Sequence, residues 1–278
     1  MICFMFPGQP MARNDMPLEV PAFHDMACHC QDITGFNPLD GSLTVPHMTE
    51  NVRLQLFGTT MSLYRYNQLL RQGGVPDVIA EHSMGIYSAL AACGSVDSAS
   101  ALALTARIGT CLTTMGAKRE YAVASVIGLA FDPLVSVAVN NDVYLANHNT
   151  SQHFLLAGER KQIELAVAEA AAAGAFSVKL FPSDAPVHTP LVAAISDDLQ
   201  RIVADYTFRE PQVPLLDHLG QRQLTASDIP AFLVDELCRP VFWEKTYHTL
   251  RLRGVHRFQE VGCGTALTKF NRWIDSQP

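Results

Sequence analysis

Ser83 lies in the run Val75-Pro-Asp-Val-Ile-Ala-Glu-His-Ser-Met-Gly85, where an apolar strand gives way to a helix at a serine. A serine on such a turn projects its Oγ out of the backbone. The first N–H groups of the following helix then point at any oxyanion formed beside it, which is what nucleophilic acyl chemistry needs. The usual elbow reads G-x-S-x-G because the residues two before and two after the serine nearly touch. Here the second glycine is Gly85, but the first position is Glu81. A serine hydroxyl is a weak nucleophile until a base takes its proton. The chain has 10 histidines that could supply one, and His188, in the loop Pro186-Val-His-Thr-Pro190, would by itself read as structural.

One other cluster has reactive residue types: His24, Cys28, His29 and Cys30. On a helix His24 and Cys28 share a face at i, i+4, but Cys30 points elsewhere and no second ligand pair stands at zinc-site spacing. The expectation is an ordinary helix with two small sulfur residues toward the core and no metal.

The elements that must position Ser83 follow from periodicity. Residues 2–6 read as a short buried strand ending at Pro7-Gly8, and a helix begins near Pro21. Helical spacing covers 54–71, a strand 75–80, and helices 84–92 and 98–115. This alternation is that of a parallel α/β sheet. From about Glu120 the order becomes strand, helix, strand, strand, helix, strand, up to Leu180. That is the ferredoxin-like split unit. The expected fold is therefore α/β, with a large parallel-sheet domain over 1–119 and 182–278 and a small ferredoxin-like subdomain inserted at 120–181. After Pro182 come a helix from Pro190, a strand at 213–216, two helices across 228–253, a strand at 256–261 and a last helix from Thr265.

Composition limits the function. The 278 residues are 48% hydrophobic and 17% charged, with a net charge of −7. Such a chain can bury a large core, and its acidity argues against nucleic-acid binding, which rests on a basic surface. The opening Met1 to Pro7 is too short and too soon interrupted for a signal peptide. No apolar run approaches the roughly 20 residues of a membrane helix. A cytoplasmic protein, away from membranes, is expected. The seven cysteines, scattered and odd in number, read as buried or free thiols.

Several motifs now stand in a familiar order: Phe6-Pro7-Gly8-Gln9, His82-Ser83-Met84-Gly85, Arg107, Asn147-His-Asn149, Pro186-Val-His188, Pro240-Val-Phe-Trp243 and Glu260-Val-Gly-Cys-Gly264. In this order and spacing the chain resembles the malonyl-CoA:acyl-carrier-protein transacylase family of acyltransferases, from Met1 to about Trp273. The resemblance implies an α/β-hydrolase-like domain with a ferredoxin-like insert, which agrees with the periodicity. It implies Ser83 as nucleophile and His188 as general base, oriented by backbone carbonyls near Pro240 to Trp243. It implies an oxyanion hole made by the backbone N–H groups of Gln9 and Met84.

The same resemblance implies that Arg107 pairs with the free carboxylate of a malonyl group. Arg53, where many relatives have glutamine, is either a second positive contact or a surface residue at a helix start. His82 neighbours the nucleophile and the substrate, and Asn147 and Asn149 shape the cleft wall. The chain departs from the family at Glu81, at Pro10 and at Phe242, where relatives often carry glutamine.

The implied reaction moves malonyl from CoA to the phosphopantetheine thiol of an acyl carrier protein, in fatty-acid or polyketide synthesis, with no permanently bound cofactor. A monomer is expected, with Lys118 and Arg119 as a docking patch for an acidic carrier. Two rivals stay open. One is a thioester hydrolase on the same fold; the other is a carrier-binding subunit whose elbow has decayed at Glu81.

Overall fold

The computed structural model describes residues 1–278 apart from 14, 15, 19, 46, 47 and 278. Its first strand, β1 (Ile2–Phe6), is apolar on both faces, as a strand inside a parallel sheet must be. Phe4 and Phe6 join one core and Cys3 and Met5 another on the opposite side. Two helices follow, α1 (Pro21–Thr34) and α2 (Glu50–Arg71). Helix α2 starts four residues before the apolar spacing predicts. The Thr49 side chain accepts a hydrogen bond from Val52 N, and Glu50 sits in the first turn. Such a cap contributes about 1 kcal/mol and starts a turn that has no apolar periodicity of its own.

Strand β2 (Val78–Glu81) lies parallel to β1, with Phe6 opposite Glu81, and runs into α3 (Gly85–Ala92). Helix α4 (Ser98–Gly116) is capped by Asp97, which accepts from Ser100 N at 2.7 Å. The next six elements are β3 (Tyr121–Ile127), α5 (Phe131–Asn140), β4 (Tyr144–Thr150), β5 (His153–Glu159), α6 (Arg160–Ala172) and β6 (Ser177–Ser183). A 3-10 turn (Pro190–Ile195) stands where the sequence predicts the start of a helix, and α7 (Ser196–Ala204) follows it. The chain ends with β7 (Leu215–Leu216), α8 (Ile229–Cys238), β8 (Val241–Phe242), α9 (Trp243–Leu252), β9 (Arg257–Glu260) and α10 (Ala266–Asp275).

The strands form two sheets. One is fully parallel, in the order β7-β2-β1-β9. The other has the order β6-β3-β5-β4-β8; its first four strands are antiparallel, and β8 is parallel to β4. The second sheet has its own core of Ala122, Phe154, Leu156, Ile163 and their neighbours. Because β8 belongs to the segment after the insert, its pairing ties β4 to the large domain with Asn147 opposite Val241. This brings the polar residues of β4 to the carboxyl end of β2, where Ser83 stands.

Among the described residues no helix is long and apolar enough to cross a membrane. The 24–30 cluster does not converge. His24 donates from Nε2 to the Leu18 carbonyl at 2.5 Å, Cys30 is buried beside Thr34, and Cys28 is exposed, so only one of the two cysteines expected in the core is there.

Candidate active site

Ser83 has φ 57°, the left-handed backbone expected of a nucleophile elbow and costly for a non-glycine residue by about 1–3 kcal/mol. The turn is sharp because Gly85 packs against the end of β1. A Cβ there would lie 2.2 Å from the Phe6 carbonyl oxygen and 2.8 Å from that of Pro7. The backbone around it is held by His82 N donating to Phe6 O and Gly85 N donating to His82 O.

Glu81 therefore has no glycine's space to fill; the close approach at Gly85 is to β1. Its side chain is 0% exposed, and Oε1 lies 2.5 Å from Nδ1 of His218, itself fully buried. Burial pushes the carboxyl well up and the imidazole down to about 4, so desolvation favours the uncharged form of each. The residue that looks like damage in the motif is a buried staple from β2 to the segment after β7.

His188 meets the serine. Ser83 Oγ and His188 Nε2 are 2.6 Å apart, and His188 Nδ1–H donates to the Glu236 carbonyl at 2.7 Å. His188 N donates to Leu237 O at 2.7 Å, and its φ is 62°, so the last turn of α8 fixes both backbone and ring. The carbonyl that orients the base is thus in α8, not at Pro240 to Trp243. Phe242 faces His148 of β4, ring centroids 6.1 Å apart, and the substitution there does not touch the base. Burial lowers the His188 pKa to about 3, against the opposing pull of the Glu236 carbonyl, so the imidazole is neutral and Nε2 has a lone pair for the serine proton.

Sequence reasoning missed Glu236. It is fully buried, its carboxyl oxygens have no hydrogen-bond partner among the described residues, and Oε2 lies 3.5 Å from His188 Nδ1. Burial, with Glu81 adding to it, pushes this carboxyl well above the ordinary range. A glutamate on a helix whose neighbours are Leu233, Val234 and Leu237 is a detectable signal, since a charged residue on an apolar face is seldom unpaired.

The N–H groups of Gln9 and Met84 donate to no backbone carbonyl among the described residues. The Gln9 side chain is tied to α2, donating to Asn51 Oδ1 at 3.2 Å and accepting from Gln55 Nε2 at 3.1 Å. Gly58 abuts both Pro10 and Met84; a Cβ there would lie 2.7 Å from Pro10 Cδ and 2.8 Å from Met84 Cε. So Pro10 packs on α2 and leaves Gln9 its own donor. His82 is committed to the insert, its Nε2 2.8 Å from Asn149 Oδ1 and 3.3 Å from Asn147 Nδ2, and burial lowers its pKa to about 4.

Neither arginine hydrogen-bonds to Ser83, His188 or Gln9 among the described residues. Arg107 projects from the opposite side of α4 to the buried Thr105, Ile108 and Leu112; its side chain is 43% exposed and its Nη2 donates to Asp205 Oδ2 at 2.6 Å. It also lies over the Tyr206 ring. The expected pairing with a substrate carboxylate is not what this structure shows: the guanidinium is engaged by Asp205 and the Tyr206 ring on the exposed side of α4. Arg53 pairs with Glu50 at 2.9 Å, and Asn51 and Gln55 are the α2 residues that bond Gln9. Of the docking patch, Lys118 is exposed, while Arg119 is engaged by Glu159.

A half-buried serine on a strand-to-helix turn, bonded to a buried histidine and beside two N–H groups with no backbone acceptor among the described residues, can form and resolve an acyl ester. The comparisons agree with that chemistry. The family model for the acyl transferase domain matches residues 29–254. The malonyl CoA-acyl carrier protein transacylase of Escherichia coli K12 is 29% identical, the match covering 98% of this chain and 92% of that protein. A polyketide biosynthesis protein of Burkholderia thailandensis is 27% identical over 99% of this chain, which corresponds to 24% of that longer protein. A malonyl-transacylase solved with a type II polyketide acyl-carrier protein shares 25% identity and a TM-score of 0.86, over 98% of this chain and 92% of that one. The Coxiella burnetii transacylase has the same fold, with a TM-score of 0.88 over 99% and 91% at 24% identity. With the family model matching residues 29–254 of its 278, the chain belongs to the acyl transferase domain family.

Proposed function

We propose that this protein is a malonyl-CoA:acyl-carrier-protein transacylase that works through a Ser83 acyl-enzyme. The observation that carries the reading is the 2.6 Å contact between Ser83 Oγ and a His188 whose other nitrogen is fixed by the Glu236 carbonyl. Ser83 attacks the thioester carbonyl of malonyl-CoA as its proton moves to His188 Nε2. The oxyanion is held by the N–H groups of Gln9 and Met84, the second at the start of α3 where the helix dipole also favours negative charge. Collapse breaks the carbon–sulfur bond, and the CoA sulfur takes the proton back from Nε2.

The second half runs in reverse. The phosphopantetheine thiol of the carrier protein gives its proton to His188 and attacks the Ser83 ester, leaving malonyl on the carrier and the serine hydroxyl restored. The residues need no bound cofactor for these steps, and a cytoplasmic setting among soluble carriers fits them. In this reading 1–119 and 182–278 form the catalytic domain, and 120–181 the insert that presents Asn147 and Asn149 to His82. A decayed elbow is not favoured, because Glu81 is absorbed by His218 rather than set against the nucleophile.

Intact-mass detection after incubation with malonyl-CoA should show one malonyl adduct that is absent in Ser83→Ala and discharged by holo-carrier protein. An adduct that persists in Ser83→Ala would overturn the reading. Release of free malonate without transfer would replace it with the hydrolase.

A further inference from the structure

Strand β4 is irregular where it meets the elbow. Its pairing with β5 shifts register twice, between Leu145 and Asn147 and again between His148 and Thr150. Each shift leaves one residue of β4 without an opposite on β5, Ala146 in the first and Asn149 in the second. Bulges of this kind give up regular pairing to re-aim a side chain, and they gather beside active sites. Asn149 is buried and aimed at the ring of His82, the residue before the nucleophile.

The nearer partner of His82 Nε2 is Asn149 Oδ1 at 2.8 Å; Asn147 Nδ2 stands farther off at 3.3 Å. An amide oxygen only accepts, so the shorter contact puts the ring proton on Nε2. The Nδ1 edge of the same ring lies on Gly8. A Cβ on Gly8 would fall 3.0 Å from His82 Nδ1, 3.2 Å from the His82 carbonyl oxygen and 3.6 Å from Ser83 Cβ. Gly8 immediately precedes Gln9, whose N–H is one of the two donors assigned to the oxyanion. The backbone of His82 is held at both ends, N donating to Phe6 O at 3.0 Å and O accepting from Gly85 N at 3.1 Å. What is left to set is the direction of the ring, and Asn149 sets it.

We propose that His82 and Asn149 are positioning residues for the oxyanion loop: the insert, through the bulged Asn149, holds the His82 ring against Gly8 and so fixes where the Gln9 N–H points. This rests on the reading of Ser83 as the acylated residue and of Gln9 as an oxyanion donor. The step served is the attack on the thioester, in which charge develops on the carbonyl oxygen, and His82 itself makes no bond to the substrate. A donor misplaced by about 1 Å loses much of its hold on that charge, while contacts made elsewhere by CoA are unchanged, so the loss falls on kcat.

Ser83 acylation followed by intact mass across malonyl-CoA concentrations gives kcat and KM for wild type, His82→Ala, His82→Asn, His82→Gln and Asn149→Ala. A glutamine amide nitrogen falls near the place of Nε2 and still reaches Asn149; an asparagine nitrogen falls near Nδ1 and does not. His82→Ala and His82→Asn should lower kcat by about 30-fold or more with KM within about 3-fold of wild type. His82→Gln should stay within about 5-fold, and Asn149→Ala should lose about 10-fold in kcat. Equal losses in His82→Asn and His82→Gln would overturn the proposal, because a ring that only fills space is not rescued by the position of a donor. So would a loss carried by KM alone, or an Asn149→Ala rate within about 2-fold of wild type. Should His82→Ala be unfolded by circular dichroism, the contrast between the two amides and the Asn149→Ala rate decide the matter. If malonyl-CoA does not acylate the wild-type protein, or acylates Ser83→Ala equally, it is the functional reading that fails.

Discussion

Two buried carboxyl–imidazole pairs flank Ser83, and they differ in what the imidazole is left free to do. In Glu81 and His218 the carboxyl Oε1 lies 2.5 Å from the ring Nδ1, while Glu81 Oε2 and His218 Nε2 are buried with no hydrogen-bond partner among the described residues. In Glu236 and His188 the carboxyl stands back at 3.5 Å while the backbone carbonyl of the same glutamate takes the Nδ1 proton at 2.7 Å. The first arrangement commits Nδ1 to a side-chain carboxyl and leaves Nε2 buried with nothing to activate. The second fixes tautomer and orientation with a neutral acceptor and leaves Nε2 to the serine. Similar residue pairs, both desolvated, become a staple in one place and a base in the other because of where the backbone carbonyl falls.

The comparison can be broken most forcefully at the base. His188→Ala should lower Ser83 acylation by about 1,000-fold or more, as loss of a general base does, with the protein still folded by circular dichroism. A variant within about 10-fold of wild type would mean that the 2.6 Å contact is not the working one. Glu81→Ala should act on the other quantity. Leaving His218 buried without its partner should cost about 2 kcal/mol or more of stability in a urea titration. Loss of acylation as deep as that of His188→Ala, with stability unchanged, would place Glu81 in the chemistry instead.

The smallest effect is expected at Glu236→Gln, since the backbone carbonyl remains. Acylation should stay within about 5-fold of wild type. Its pH profile should also stay the same. Burial holds the His188 pKa near about 3, so the inactive imidazolium accumulates only as pH falls toward that value, and the rate should be flat from about pH 8 to 5 in both proteins. An acid limb that appears only in the variant would show that the Glu236 carboxyl takes part in proton transfer, making the two pairs more alike than their distances suggest.

Much of the site was legible because local rules fix it. The strand-to-helix break at Ser83 and the glycine after it follow from periodicity and from steric demand at one turn. The base was legible from its Pro-flanked loop together with the order of the motifs. Glu81 was misread as a flaw because G-x-S-x-G describes a contact between neighbours in the chain, whereas here the close approach is to Phe6 at the end of β1 and to Pro7 just after it. Its true partner, His218, lies 137 residues away. Arg107 fell on the wrong side of α4 for a related reason. Residue type and motif order do not say which side of a helix a side chain leaves from, and Asp205 and Tyr206 hold Arg107 on the exposed side of α4.

By itself the sequence determined the parallel sheet, the β-α-β-β-α-β order of the middle segment and the strand-to-helix turn at Ser83, and it singled out His188 as the candidate base. These depend on burial periods, turn chemistry and chain order, all of which are local or ordinal properties. Only the tertiary structure decided which carbonyl orients the base, where Glu81 finds its partner and which way Arg107 points. Those depend on how α8, α4 and the segment after β7 pack around the elbow, and side-chain direction at a packed interface is set by contacts between residues far apart in the chain.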